Sequence, residues 1–312
     1  MLKKIIVTGA NGFTGKYMVH ELLENGYEVV GTYHKKLDER ISQCEWYKIN
    51  LTNLRECELM IKEVHPDAII HLAAQNSIII SKEMPEETVQ VNILSILNIL
   101  NSVRICNFDI RCILAGTSAV YKPTEELVKL NESMPVSSIN IYALTKNFQE
   151  QLAKLYCNEY RLDIICTRPF NYTGYKQSEK CFIPSICRQV SDMAKGKKEK
   201  ILCVGNLQVY RDFLDVRDVV HAYRLLLDEN VKTGVYNISS GKALPLIGLV
   251  QYICGKVKDN IKIRQDISLI RQDDNLYMCG DNLKLKQFTG WFANYNIYET
   301  IDWIFEKMME EI

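Results

Sequence analysis

With 312 residues, the chain is long enough to bury a large core, as one big domain or as a domain with a smaller lobe. Its 38 basic side chains balance 38 acidic ones, so no excess charge argues for nucleic acid or an acidic membrane as partner. Eleven cysteines without a C-x-x-C pair and five histidines without H-x-x-x-H spacing speak against a disulfide framework and a zinc site, and for reduced, mostly buried thiols.

The first apolar run, Lys4–Thr8, breaks at Gly9, well short of a secretory h-region. No later stretch reaches the ~18 apolar residues of a membrane helix, and a cytoplasmic protein is expected. Short runs rich in Ile and Val then alternate with helical patterns. Strands are predicted at Lys4–Thr8, Glu28–Tyr33, Ala68–Leu72, Arg111–Ala115 and Asp163–Thr167. Helices are predicted around Phe13–Glu24, Asn53–Val64, Glu86–Cys106 and Ile141–Tyr160. Strands that are apolar throughout, rather than alternating, suit a parallel sheet covered on both faces. Repeated βα units make this an α/β, doubly wound Rossmann sheet. After Arg168-Pro169 the alternation lapses until a helix at Asp215–Leu227 and a strand at Val235–Ser239. The expected division is therefore a dinucleotide-binding domain, residues 1–170 plus 215–240, and a smaller substrate lobe, 171–214 plus 241–312.

Gly9-Ala10-Asn11-Gly12-Phe13-Thr14-Gly15 directly follows the first strand and opens the first helix. In that position each glycine has a use: a tight turn, close approach of backbone to a pyrophosphate, and packing of helix on strand. The helix N-terminus then faces the pyrophosphate charge. The G-x-x-G-x-x-G spacing is the form seen in short-chain dehydrogenases/reductases. At the end of the second strand an acidic residue usually binds the ribose 2′-hydroxyl of NAD. Here the tip reads Gly31-Thr32-Tyr33-His34-Lys35-Lys36, with no carboxylate and with cations that can meet a 2′-phosphate. NADP(H) is the expected cofactor.

Tyr142 and Lys146 form a Y-x-x-x-K pair on one helix face. Free tyrosine titrates near 10. An ammonium ~4 Å away at an effective dielectric near 20 is worth up to ~4 kcal/mol, enough to draw the phenol toward neutrality, where it can shuttle protons. Tyr172/Lys176 and Tyr252/Lys256 share the spacing. Only Tyr142 follows a strand ending in Ala115-Gly116-Thr117-Ser118, which places Thr117, Tyr142 and Lys146 together at the carboxyl edge of the sheet. The other two pairs are expected to be surface residues.

These motifs together resemble the extended short-chain dehydrogenases/reductases of the nucleotide-sugar branch. The resemblance also rests on His71-Leu72-Ala73-Ala74, Val91-Asn92, Arg168-Pro169-Phe170-Asn171 and the segment from Arg211 to Asp218. The stretches from Val204 to Val220, at Arg271-Gln272-Asp273, Gly280-Asp281 and Thr289-Gly290-Trp291 are especially similar to GDP-4-dehydro-6-deoxy-D-mannose reductases. The resemblance implies a catalytic set of Thr117, Tyr142 and Lys146. It implies cofactor contacts from Gly9, Asn11, Gly12, Phe13, Thr14, Gly15, Thr32, His34, Lys35, Asn50, Leu51, Leu72, Ala73, Ala74, Tyr142 and Lys146. Asn50 stands where the family usually carries aspartate beside the adenine. Substrate contacts would come from Thr117, Ser118, Asn171, Arg211 and Arg271, the arginines suiting a diphosphate.

Relatives that dehydrate the sugar need acidic residues just after the threonine, and this chain has Ser118 and Ala119 there. Tyr121-Lys122 and Gly174-Tyr175-Lys176-Gln177 depart from the family's usual Y-G and G-P-G-Q beside the substrate. The implied activity is NADPH-dependent 4-reduction of a nucleotide-linked 4-keto-6-deoxy sugar. A 4-epimerase holding NAD⁺ and a non-catalytic NADP-sensing protein are the alternatives, the latter disfavoured by the Tyr/Lys pair. Family members also pair the two long helices, Glu86–Cys106 and Ile141–Tyr160, across a homodimer interface.

Overall fold

In the computed structural model, which describes residues 3–38, 40–124, 126–258, 260–270 and 275–311, seven strands line up side by side and all run parallel. In chain order the first half comprises β1 (Lys4–Thr8), α1 (Phe13–Glu24), β2 (Glu28–Tyr33), β3 (Glu45–Lys48), α2 (Leu54–Val64), β4 (Ala68–His71), α3 (Ile78–Glu83), α4 (Pro85–Cys106), β5 (Arg111–Ala115), α5 (Ile141–Tyr160) and β6 (Ile164–Pro169). There follow β7 (Asn171–Thr173), α6 (Phe182–Ala194), β8 (Ile201–Val204), β9 (Tyr210–Asp215), α7 (Val216–Leu225), β10 (Gly234–Ile238), β11 (Ala243–Pro245), α8 (Leu246–Cys254), β12 (Lys262–Gln265), β13 (Tyr277–Met278), α9 (Leu283–Thr289) and α10 (Ile297–Glu310).

The large sheet has the order β10-β6-β5-β4-β1-β2-β3. From β1 the chain first builds outward through β2 and β3, then crosses back to β4 on the other side. That reversal opens a crevice at the carboxyl ends of β1 and β4, where ligands bind in doubly wound sheets. Successive strand residues face opposite layers: Ile5 and Val7 pack under α1 and α7 with Met18, Val19 and Tyr223, while Ile6 packs under α2, α4 and α5 with Met60, Ile99 and Leu152. Burial on both faces is why the strands read as unbroken apolar runs.

A smaller lobe packs α6, α8 and α10 around Ile183, Val190, Leu249 and Ile301. A second sheet, with β7, β11 and β13 all paired to β9, lies between this core and the end of β6. One stretch expected in this lobe packs elsewhere. Leu285 of α9 and the buried Trp291 join the Rossmann core, and Lys284 donates to the Val235 carbonyl of β10 at 2.6 Å. Since β10 is the edge strand, α9 covers backbone that would otherwise be open to pairing. A second departure concerns α4, which at 22 residues is long and apolar enough to span a membrane by length and composition alone. Its inner face buries Asn92, Ser95, Asn98 and Ser102, and it packs between α2 and α5, as a core helix does.

Candidate active site

At the end of β1 the chain turns through Gly9 with φ +69°, and a Cβ there would lie 2.9 Å from the Ala73 backbone. A Cβ on Gly15 would meet the Gly9 carbonyl oxygen at 2.2 Å. Both positions therefore require glycine, and together they bring α1 close to β4. Gly12 at the N-cap supplies no side-chain cap, so the first-turn amides keep their hydrogens for an anion. This cradle fits the pyrophosphate of a dinucleotide. Leu72, Ala73 and Ala74 form its far wall, with the Ala73 amide donating to Thr8 Oγ1 at 3.2 Å.

Several expected cofactor residues are engaged in holding this loop. Thr32 is 2% exposed, and its hydroxyl accepts from the Gly9 amide at 3.3 Å; it braces the turn rather than presenting itself to a ligand. Asn11 donates to the Lys36 carbonyl at 3.0 Å and to the Asp38 carboxylate at 3.2 Å, and accepts from the Asp38 amide. Asn50 accepts from Thr52, closing a local turn before α2, and Leu51 packs into the core beneath it. His34, Lys35 and Lys36 are exposed beside this frame. The fold therefore does bring a carboxylate to the glycine loop. Asp38 sits five residues past β2, beyond the tip where such a residue is sought.

Across the crevice, β5 ends in Gly116, whose amide bonds the Thr167 carbonyl and whose Cβ would lie 2.2 Å from it. Thr117 then leaves the sheet and caps a short turn at Ser118–Val120. Asn140 caps α5 by accepting from the Ala143 amide at 2.8 Å, so Tyr142 falls in the first helical turn, with Lys146 one turn on. The Thr117 hydroxyl faces that of Tyr142, close enough to favour its phenolate slightly.

The expected electrostatic coupling of Tyr142 to Lys146 is not what the structure shows. Burial drives the phenol well above its usual range, Tyr172 adds to this, and only the Thr117 hydroxyl opposes it. Lys146 points elsewhere, donating to the Ala115 carbonyl at 2.6 Å and to Gln149 Oε1 at 3.3 Å. Burial pulls Lys146 down to about 8. Tyr142 consequently holds its proton at neutrality, as a general acid must. Beneath this pair lies His71, driven to about 3 by burial and by the Lys146 charge; its Nδ1 lies 2.8 Å from Thr8 Oγ1.

Residues from distant parts of the chain hold α5 in place. Asn92 of α4 donates to Thr145 Oγ1 and to the Gln75 carbonyl, each at 3.0 Å, and accepts from the Gln75 amide. Glu150 and Arg168 form a buried bidentate pair at 2.7 and 3.0 Å. The Arg168 guanidinium stacks 4.7 Å from the ring centre of Tyr121. Tyr121, expected beside the substrate, is 1% exposed and donates to Asn237 at 2.7 Å. It is part of the core.

On the substrate side, β7 and β9 pair in parallel, placing the exposed Asn171 near Arg211. Asn171 donates to the Asp212 carbonyl at 3.2 Å, and Arg211 donates to the carbonyls of Tyr210 and Asn275. Arg271 lies outside the described residues. The buried Asp212 carboxylate accepts from Ser240 twice and from the amides of Gly241 and Gly280, tying β9 to the two loops that follow β10 and β13. Ser118 and Ala119 stand beside Thr117, so no carboxylate adjoins it there.

The two other Y-x-x-x-K pairs differ in fate. Tyr252 and Lys256 both engage Asp302, a peripheral polar cluster as expected. Tyr172 is not a surface residue: its hydroxyl lies 2.9 Å from Thr14 Oγ1, its ring stacks on Phe13, and its phenol, itself kept protonated by burial, is close enough to Tyr142 to disfavour a phenolate there. Adjacency to Asn171 was the only sequence signal for it. Gln149, buried next to Lys146, had none.

Residues 6–304 match the family model described as GDP-mannose 4,6 dehydratase. A GDP-6-deoxy-D-mannose reductase from Pseudomonas aeruginosa is 28% identical over 306 residues, covering 96% of this chain and 95% of that protein. A GDP-6-deoxy-D-talose 4-dehydrogenase from Aggregatibacter actinomycetemcomitans is 29% identical over 291 residues, 92% of this chain and 91% of that one. Among solved structures, RMD from Pseudomonas aeruginosa complexed with NADPH superposes with a TM-score of 0.87 at 27% identity, covering 100% of this chain and 99% of the other. The chain belongs to the GDP-mannose 4,6 dehydratase family, within the extended short-chain dehydrogenases/reductases that act on nucleotide sugars.

Proposed function

We propose that this protein is an NADPH-dependent 4-reductase of a nucleotide-linked, most simply GDP-linked, 4-keto-6-deoxy sugar. The observation that carries this reading is the pairing of a proton-holding Tyr142 with Thr117, next to Ser118 and Ala119 instead of acidic residues. With no base beside Thr117, proton removal from the sugar carbons has no agent there, whereas ketone reduction needs only an acid for the alkoxide. The reductase from Pseudomonas aeruginosa, similar over nearly the whole chain, supports the same reading.

When bound, NADPH supplies the hydride. Thr117 orients the C4 carbonyl, and Tyr142 gives its proton to the C4 oxygen. Lys146 holds the nicotinamide ribose, while the loop from Gly9 to Gly15 holds the pyrophosphate. Asn171 and Arg211, with Arg271, bind the sugar diphosphate. Stoichiometric loss of NADPH absorbance with a GDP-4-keto-6-deoxy sugar is the expected result; turnover of a GDP-hexose to its 4-epimer without NADPH loss would replace this reading. One observation favours that second reading, a 4-epimerase retaining NAD⁺: the Asp38 carboxylate beside Asn11, where a 2′-phosphate would meet like charge. The relative affinities for NADPH and NADH separate the two.

The same reading includes a homodimer. Leu144, Phe148 and Leu155 on α5, with Val89 and Ile105 on α4, are exposed apolar side chains on two adjacent long helices. Light scattering should give twice the chain mass, and Leu144→Glu with Phe148→Glu should give the chain mass alone.

A further inference from the structure

Lys146 carries three N–H donors and no acceptor. One reaches the Ala115 carbonyl at 2.6 Å and a second reaches Gln149 Oε1 at 3.3 Å. Gln149 lies one turn further along α5, on the same helix face. It is 1% exposed, and its Nε2 has no hydrogen-bond partner among the described residues. The amide orientation follows from this arrangement, because a donor-only ammonium must face the oxygen, and nothing else holds the nitrogen. A buried amide left half-satisfied is an uncommon choice beside a helix that has ample apolar residues.

We propose that Gln149 is the positioning residue for Lys146: with the Ala115 carbonyl it forms two legs of a tripod, stabilising the ammonium in its buried niche and directing the third N–H toward the cofactor. The proposal rests on the assignment of Lys146 to the cofactor ribose. The groups facing this ammonium are few. Tyr142 and Glu150 lie on its own helix, with Glu150 committed to Arg168. His71 comes from β4 and is neutral, and the Cys166 thiol comes from β6 and is held protonated by burial. No carboxylate pairs with Lys146 among the described residues, and burial lowers its pKa. The two oxygens that face the ammonium, the Ala115 carbonyl oxygen and Gln149 Oε1, are the dipoles placed to hold its charge.

The test follows the Lys146 ammonium by NMR in lysine-labelled protein, assigned with Lys146→Arg, alongside calorimetric NADPH titrations across pH. Gln149→Leu removes one acceptor and should move the Lys146 midpoint down by about one unit. Gln149→Glu supplies a carboxylate and should move it up. The pH at which NADPH binding weakens should follow in both directions. Midpoints unchanged in both variants, or displaced the same way in both, overturn the proposal. If Lys146→Met binds NADPH as tightly as the parent protein, the cofactor assignment of Lys146 falls instead, so the two failures are distinguishable.

Discussion

Tyr142/Lys146 and Tyr252/Lys256 have the same spacing and opposite surroundings. Tyr252 ends its days in a polar cluster at the rim of the smaller lobe, donating to both oxygens of Asp302, with Lys256 paired to the same carboxylate and lying 4.5 Å from the Tyr252 ring centre. Burial pulls Lys256 down, but the hydrogen bond and charge of Asp302 outweigh it and its pKa is raised. Among the described residues Lys146 bonds two neutral oxygens, those of Ala115 and Gln149, and burial lowers it to about 8. One lysine is neutralised by a counter-ion, while the other, 3% exposed, holds a charge that no carboxylate compensates among the described residues. A lysine paired with a carboxylate has its charge compensated within the protein, whereas Lys146 keeps its charge and a third N–H donor for a ligand.

The comparison breaks most sharply at the tyrosines. Tyr142→Phe keeps the ring and removes the acid, and the single-turnover rate of NADPH oxidation should fall by about 10²–10⁴-fold. Tyr252→Phe should leave that rate within about twofold; equal losses in the two variants would mean that neither phenol is the acid.

The lysines come next. Because the Lys146 pKa is lowered to about 8, its ammonium is present below that pH and lost above it. NADPH affinity should therefore decline as pH rises through about 8, and Lys146→Met should bind weakly and without that decline. Lys256→Met should retain the parent pH profile, and for a partly exposed ion pair its cost in stability should be about 0–1 kcal/mol by denaturant titration.

Tyr172→Phe tests the third pair. It removes the bond to Thr14 while keeping the stack on Phe13. The bond fixes Thr14 in the first turn of α1. If the whole of its worth, about 1 kcal/mol, goes into ordering that turn, its loss raises the NADPH dissociation constant by up to roughly fivefold, with Tyr142 still competent in single turnover. An unchanged constant would return Tyr172 to the bystanders.

Much of the scaffold was legible because its signals are local. Helices α5 and α1 and strands β1, β2 and β5 match the predicted bounds. The short β3, with its partly exposed Glu45–Lys48, carries too little apolar pattern to be noticed. At the site, residue types and spacing located Thr117, Tyr142 and Lys146, but not their protonation. The simple pairwise estimate of a lysine lowering its tyrosine failed because desolvation of the phenol dominates and the ammonium is turned toward Ala115.

What the sequence determined by itself is therefore the parallel sheet, the glycine turn and the candidate triad. Apolar runs, glycine positions and helical spacing are properties of neighbouring residues, and they survive without knowledge of the rest of the chain. Only the tertiary structure decided that Tyr172 packs beside Tyr142, that Asp302 engages Lys256 while Lys146 turns to Ala115 and Gln149, that Asp38 reaches Asn11, and that Trp291 belongs to the large core. Each of those depends on burial and on partners tens to hundreds of residues away, as Tyr172 is from Thr14 and Asp302 from Lys256, and no local pattern encodes the dielectric or the counter-ion that such partners impose.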